Sequence, residues 1–199
     1  MSDLNYGIIG NCKSAALIHQ DSSLEWLCLP IFDSPSVFAK LLDEKKGGSF
    51  KFNVSDQYRI YQKYLPETCI LSTEFVSEEG SFEVLDFMPR HALKDGGYYA
   101  PSQVIRYVKL KRGLPKLSIT YDPNLEYGSG LTRTYIKEDF IVSVINQPKF
   151  DTLYCYTNMD KELVLSGEEF TLGQDLFFNI SYHEKVELPS LSQIKLEME

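Results

Sequence analysis

The sequence predicts a mainly β fold, a large antiparallel β-sandwich with one short helix. Apolar runs of strand length recur along the 199 residues, and clusters of Gly, Pro, Asn, Asp and Ser separate them. This pattern is typical of antiparallel strands joined by tight turns. A chain of this length can also bury one sizeable core, which a sandwich of two sheets requires.

Three pairs of apolar runs predict β-hairpins, because a short stretch of turn-forming residues joins the members of each pair. The predicted hairpins join 15–19 to 24–28, 69–77 to 81–88, and 103–110 to 116–121. Further strands are predicted at 50–54, 58–64, 131–136, 140–146, 153–157 and 176–182. About eleven or twelve strands of this kind make a large sandwich.

The strand predicted at 103–110 supports the stacking of two sheets. Val104, Arg106 and Val108 lie on one side of such a strand, and Ile105 and Tyr107 lie on the other. Both sides are fairly apolar, and stacked sheets require an apolar surface on at least one side.

One short helix is predicted over 34–47. Ser34 is a favourable N-cap residue, and Pro35 suits the first helical position. Gly47 follows two lysines, which is typical of a helix end. The apolar residues that would share one face of this helix are Val37, Phe38, Leu41 and Leu42.

Charge and composition exclude two classes of partner. The chain has 20 Lys and Arg residues against 28 Asp and Glu residues, and its net charge of −8 is the wrong sign for neutralising nucleic-acid phosphates. No apolar run approaches the ~20 residues that span a bilayer, so a membrane partner is not expected. Residues 1–4 lack the basic start that precedes an export segment, which favours a cytoplasmic location.

The histidines and cysteines form no metal-binding motif. The three histidines lie far apart, and the four cysteines lack a Cys-x-x-Cys pair, so we predict thiols that are reduced and mostly buried. A glycine-rich phosphate loop is also missing. We therefore predict no metal and no cofactor.

The densest group of special residues lies between positions 6 and 38. Its members are Asn11, Trp26, Phe32, Asp33, Ser34, Pro35 and Ser36. Amide, aromatic and carboxylate groups around one bend are those that bind sugars, by ring stacking and by hydrogen bonds to hydroxyls. Alternatively, Trp26 belongs to the core, and Asp33 and Ser34 cap the helix. The residues alone leave both interpretations open.

The same stretch resembles the N-terminal domain of bacterial and archaeal members of glycoside hydrolase family 15, the glucoamylase and trehalase-like enzymes. The resemblance continues more weakly to the end of the 121–128 segment. It implies a supersandwich-like β domain, here 1–185, and an acidic tail or linker, 186–199, that leads to an (α/α) barrel. The motifs that carry it are Gly-Asn-Cys at 10–12, Ser-Ala-Ala-Leu at 14–17, Trp-Leu-Cys-Leu-Pro at 26–30 and Phe-Asp-Ser-Pro-Ser-Val-Phe at 32–38.

The resemblance also implies a function. The family's catalytic glutamates lie in the barrel, so no catalytic residue is assigned here and the isolated chain is expected to be inactive. The chain would support the barrel of an enzyme that hydrolyses α-glucosidic bonds. The seven special residues would then lie at the interface with the barrel or at the rim of the cleft that takes the α-glucoside. The alternative is a stand-alone carbohydrate-binding or scaffold sandwich without activity.

Overall fold

Two large antiparallel sheets stack in the computed structural model, which describes residues 5–146 and 150–198. This architecture confirms the predicted mainly β sandwich. Its elements are β1 (Tyr6–Gly10), β2 (Ala15–His19), β3 (Leu24–Cys28), β4 (Ser36–Phe38), β5 (Gly48–Asn53), β6 (Arg59–Tyr64), β7 (Leu71–Val76), β8 (Gly80–Phe87), β9 (His91–Ala92), β10 (Tyr98–Tyr99), β11 (Gln103–Gly113), β12 (Lys116–Pro123), β13 (Arg133–Lys137), β14 (Phe140–Ile145), β15 (Asp151–Thr157), α1 (Lys161–Ser166), β16 (Phe170–Thr171), β17 (Leu176–Tyr182) and α2 (Leu191–Leu196).

The order of the strands defines the two layers. The first sheet has seven strands, in the order β1–β2–β3–β5–β12–β16 with β4 paired to β3. The second has eight strands, in the order β13–β14–β15–β17–β11–β8–β7–β6. β9 and β10 form a separate two-stranded hairpin, which lies in the connection between β8 and β11.

The two sheets share one apolar core. Phe50 and Phe52 of β5 contact Phe178 of β17, and the ring centroids are 5.2 and 5.6 Å apart. All three side chains are buried in a cluster to which both sheets contribute. Aromatic rings bury large apolar areas, so these contacts stabilise the stacking of the sheets.

A buried arginine, which forms an ion pair within the eight-stranded sheet, also joins the two sheets. Arg106 of β11 donates from Nε to Asp86 of β8 over 2.7 Å, and from Nη1 to the carbonyl of Phe50 in the other sheet over 2.6 Å. Its Nη2 donates to the carbonyl of Ser22. Both charged side chains are fully buried. Burial raises the pKa of Asp86, and the adjacent guanidinium opposes that rise. Removing either partner would leave a buried charge without compensation.

Two of the three predicted hairpins are confirmed, and the third is wrong. β2 pairs with β3, and β7 pairs with β8. In contrast, β11 pairs with β8 and β17, whereas β12 pairs with β5 and β16 in the other sheet. The step from Leu114 to Pro115 therefore carries the chain between sheets. Both sides of β11 are buried, as its sequence predicts.

The predicted helix over 34–47 is wrong. Residues Ser36–Phe38 form β4, which pairs with β3 through Leu27 and Cys28. Val37 is buried, and β-branched and aromatic side chains fit a buried strand well. The segment after β4 forms turns and no helix. The Asp43 carboxylate stabilises one of these turns by accepting hydrogen bonds from two following backbone N–H groups. The α-helices of the described residues lie elsewhere, at α1 and α2, and a 3-10 turn lies at Glu126–Gly128.

The C-terminal segment packs on the outer face of the eight-stranded sheet. Ile194 of α2 is buried against a cluster that includes Ile105 and Tyr107. Ser190 caps α2 in a capping box with Gln193. The predicted division between 185 and 186 stays a prediction, but residues 186–198 contact the sandwich.

A helix with the length and apolar character of a membrane span does not occur in the described part of the chain. Residues 1–4, used above to predict location, lie outside that part.

The four cysteines are free thiols, of which two are buried. Burial raises the pKa of Cys28, and it raises the pKa of Cys155 to about 12. Cys12 and Cys69 are exposed. The prediction of mostly buried thiols is therefore wrong for these two, which lie in connections between strands.

Candidate functional site

Four connections meet at one end of the sandwich, which we call the loop end. They are the β1–β2 turn (11–14), the β3–β4 loop (29–35), the β8–β11 connection (88–102) and the β12–β13 connection (124–132). Hydrogen bonds described below join the first turn to the second and third connections, and the second connection to the fourth. Loops that a rigid sandwich holds together are the usual place for binding or docking.

Asn11 is the central residue of this arrangement. Its side chain is only 2% exposed. Nδ2 donates to the carbonyls of Pro89 (3.3 Å) and Pro101 (3.0 Å), which lie at the two ends of the β8–β11 connection. Oδ1 accepts from the backbone N–H groups of Lys13 and Ser14, both at 3.1 Å. Asn11 therefore positions the loop end and presents no group on its surface.

The same turn is tied to the β3–β4 loop. The Ser14 hydroxyl, which is buried, donates to the carbonyl of Cys28 at the end of β3. The contacts of Asn11 and Ser14 within the sandwich therefore account for these two residues of the Gly-Asn-Cys-Lys-Ser turn.

Trp26 lies on the outer face of the seven-stranded sheet, where it is half-buried. Leu17 opposes Trp26 and the next residue of β2 opposes Leu24, so Glu25 is the extra residue of a β-bulge. Trp26 is a member of neither buried cluster of the described residues. Its placement therefore differs from the core interpretation.

Glu25 forms a polar cluster beside Trp26. Its carboxylate accepts from the Tyr6 hydroxyl over 2.6 Å and from Lys40 Nζ over 3.0 Å. Burial raises the pKa of Glu25, but the hydrogen bonds from Tyr6 and Lys40 outweigh it and lower the pKa below its usual value. The carboxylate is therefore ionised and already engaged at neutral pH.

The predicted site residues that are most exposed to solvent lie in the β3–β4 loop. Phe32 is 60% exposed, and Asp33 is exposed beside it. Ser34 caps no helix, since its Oγ accepts from the Ile31 N–H over 3.2 Å and closes a turn. Pro35 is half-buried, and Ser36 is fully buried in β4 with a hydroxyl that has no partner. Phe32 and Asp33 are thus the predicted residues best placed to contact another molecule.

Tyr127 is a loop-end residue that the sequence did not indicate. Its hydroxyl donates to the carbonyl of Ser34 over 3.3 Å, and its side chain is 50% exposed. Tyr127 and the preceding Glu126 have left-handed backbone angles, with φ of 58° and 54°. Residues other than glycine rarely adopt this conformation, and it concentrates at functional sites.

The second feature that sequence reasoning missed is the hairpin of residues 90–100, which we call the aromatic arm. Tyr98 and Tyr99 are both exposed, and the Arg90 guanidinium stacks over the Tyr98 ring at 3.9 Å. His91 stacks on Tyr99, with ring centroids 6.0 Å apart. The available signal was the Gly96-Gly97 pair, which is typical of a hairpin turn and is followed directly by two tyrosines.

The chemistry of the loop end is that of a contact surface. Aromatic rings, hydroxyls and a single exposed carboxylate in the β3–β4 loop can stack and hydrogen-bond. Within residues 5–146 and 150–198, no group of three His, Cys, Asp or Glu side chains is arranged to hold a metal ion. Asp86, whose pKa is raised by burial, lies inside the core against Arg106 and cannot reach a substrate.

The fold defines an antiparallel β-sandwich domain that holds loops together at one end, an architecture that hosts many functions. The comparison with protein families is more specific. Residues 5–150 match the family described as trehalase-like, N-terminal. The chain belongs to this family, which confirms the resemblance seen in its motifs.

Individual relatives are trehalases. The chain is 41% identical to trehalase 2 of Sulfolobus acidocaldarius over 86 residues, which are 43% of this chain and 14% of that protein. It is 34% identical to a trehalase of Thermoplasma volcanium, over 62% of this chain and 20% of the relative. It is 26% identical to a trehalase of Mycobacterium tuberculosis, over 89% of this chain and 29% of the relative. The chain thus spans less than a third of these relatives.

Proposed function

We propose that this chain is the non-catalytic N-terminal β-sandwich of a glycoside hydrolase family 15 enzyme. The enzyme would hydrolyse α-glucosidic bonds as a trehalase or a glucoamylase does, in the cytoplasm. The observation that carries the proposal is the match of residues 5–150 to the trehalase-like N-terminal family, together with relatives of more than three times this length.

The loop end supports a role beside the catalytic domain. The motifs that resemble family 15 fold into the β1–β2 turn, the start of β2, β3, and the β3–β4 loop with β4. Two of their residues, Asn11 and Ser14, hold the loops in place, whereas Phe32 and Asp33 are exposed on them. We infer that these exposed residues face the catalytic domain at the rim of its substrate cleft.

The chain itself should lack hydrolase activity. Hydrolysis with inversion needs a carboxylic acid and a carboxylate about 6.5–9.5 Å apart on either side of the scissile bond. The three buried carboxylates of the described residues are all engaged: Glu25 with Tyr6 and Lys40, Asp86 with Arg106, and Asp151 with His183. Purified chain should therefore release no glucose from trehalose, maltose or maltotriose.

The test is the kinetics of Asp33→Ala in the full-length enzyme. Asp33 is exposed and forms no part of a helix cap, so the substitution should change stability by less than about 0.5 kcal/mol. A residue at the cleft rim should nevertheless lower kcat/KM for trehalose or a malto-oligosaccharide. Asp56→Ala, which removes an exposed carboxylate at the opposite end of the sandwich, is the matched control.

Unchanged kinetics for Asp33→Ala would exclude a position of Asp33 at the rim of the substrate cleft. The domain would then only support the catalytic domain. The alternative function is a stand-alone carbohydrate-binding or scaffold sandwich. Hydrolase activity of the natural polypeptide separates the two: its absence, with saturable binding of trehalose to the chain, would favour the alternative.

A further inference from the structure

We infer that the aromatic arm is a preformed docking element whose occupant is the catalytic domain that would follow this segment in the proposed enzyme. The inference rests on the proposed function and deepens it, because it names a contact surface that the family motifs do not include. The arm lies between β8 and β11, away from the Phe32–Asp33 surface in sequence, and the β1–β2 turn connects the two: Asn11 binds both ends of the arm, and Ser14 binds the carbonyl of Cys28 before the β3–β4 loop.

The arm is built more rigidly than its size requires. A single two-stranded hairpin is marginally stable in water, and β9 and β10 pair by only two residues each. Buried Asn11 fixes both ends by donating to Pro89 and Pro101. The stacks of Arg90 on Tyr98 and of His91 on Tyr99 stiffen the part between.

The rigid arm exposes large, partly apolar side chains to solvent. Tyr98 is 60% exposed, and Leu93 and Tyr99 each leave nearly half of their surface in water. Tyrosine and arginine are the residues that most often dominate the binding energy of protein interfaces. An element ordered before binding loses little conformational entropy on contact, which increases affinity. The arm thus has the composition and the preorganisation of a docking element.

The position of the arm indicates the occupant. His91 Nε2 lies 3.6 Å from the carboxylate of Glu197, directly after α2. The matched family is described as N-terminal, so in the proposed enzyme the remainder of the polypeptide would follow this segment. The remainder is the larger part of each relative. The arm therefore borders the path by which the chain would enter the catalytic domain.

The experiment compares hydrogen exchange of the arm in the natural full-length polypeptide and in the 199-residue chain. Backbone amides between Leu93 and Tyr99 should exchange at least about tenfold more slowly in the full-length protein. Tyr98→Ala should reduce this protection and leave the melting temperature of the 199-residue chain unchanged. Tyr61→Ala is the matched control, because Tyr61 is 54% exposed on the edge strand β6. It should leave the protection of the arm intact.

Each outcome decides the inference independently of the proposed function. Equal exchange in the two proteins, with trehalose hydrolysis by the full-length protein, would overturn the docking arm and leave the proposed function standing. Protection of the arm in a polypeptide without hydrolase activity would support a docking arm for the following domain and refute the proposed function. A natural polypeptide with no further domain would remove the occupant and overturn the inference.

Discussion

Asn11→Ala should destabilise the chain by about 2–4 kcal/mol, because it removes four hydrogen bonds from one buried side chain. Of the two backbone N–H groups that donate to Asn11, that of Lys13 belongs to an exposed residue, where water can replace the lost acceptor, whereas Ser14 is buried. The carbonyls of Pro89 and Pro101 belong to buried residues, so the loss of their donor carries the larger penalty.

The matched control is Asn53→Ala. The Asn53 side chain is half-buried and donates to Ser118 Oγ over 3.4 Å and to Thr120 Oγ1 over 3.0 Å. Water can satisfy these two hydroxyls, so this variant should lose less than about 1 kcal/mol. Both variants remove the same chemical group, and they differ in burial and in the elements that the group joins.

Urea denaturation of the 199-residue chain measures the free energy of unfolding of both variants, and hydrogen exchange measures the aromatic arm. Asn11→Ala should lower the denaturation midpoint at constant slope and accelerate exchange across residues 90–100. An equal loss of stability in Asn11→Ala and Asn53→Ala, or an unchanged arm, would refute the role assigned to Asn11.

Three further predictions concern the sandwich itself. Asp86→Ala should lose about 3–5 kcal/mol in urea denaturation by leaving Arg106 unpaired in the core. Burial raises the pKa of Asp21, but hydrogen bonds from Lys51 and His19 lower it to about 2, so stability present above pH ~4 should fall by about 2 kcal/mol as the pH drops through 2. Asp21→Asn should abolish that fall in acid titrations followed by circular dichroism. A thiol reagent should label two cysteines, Cys12 and Cys69, in the folded chain and all four after unfolding.

Local patterns predicted the strands well and their partners less well. The period-two alternation of 103–110 indicates a strand, because each side of β11 packs on a different cluster. The Arg112–Pro115 stretch has the composition of a hairpin turn, and the same composition also suits a crossover between sheets. Likewise, Ser34 and Pro35 are compatible with a helix start, but pairing of Ser36–Phe38 with β3 overrides them.

The candidate site was predicted in part for the same reason. The motifs identify the β1–β2 turn and the β3–β4 loop, since unusual residue types are visible in a sequence. The role of Asn11 was not predictable, because its two carbonyl partners are 78 and 90 residues away. Tyr127 was missed because its left-handed backbone and its contact with Ser34 follow from packing at the end of β12.

The energetics of the loop end favour a docking role over a purely internal one. Glu126 and Tyr127 hold strained backbone angles that cost of order 1–3 kcal/mol each. Phe32 and Tyr98 leave more than half of their surface in water, which forgoes about 1–2 kcal/mol of burial for a ring of this size. These costs are a noticeable fraction of the about 5–15 kcal/mol of net stability of a domain, so a contact that offsets part of them would be favourable. Burial of Phe32 and Tyr98 against a second domain would supply that offset. The purely internal alternative requires these side chains to stabilise the sandwich, and their exposure shows that they contribute little to it.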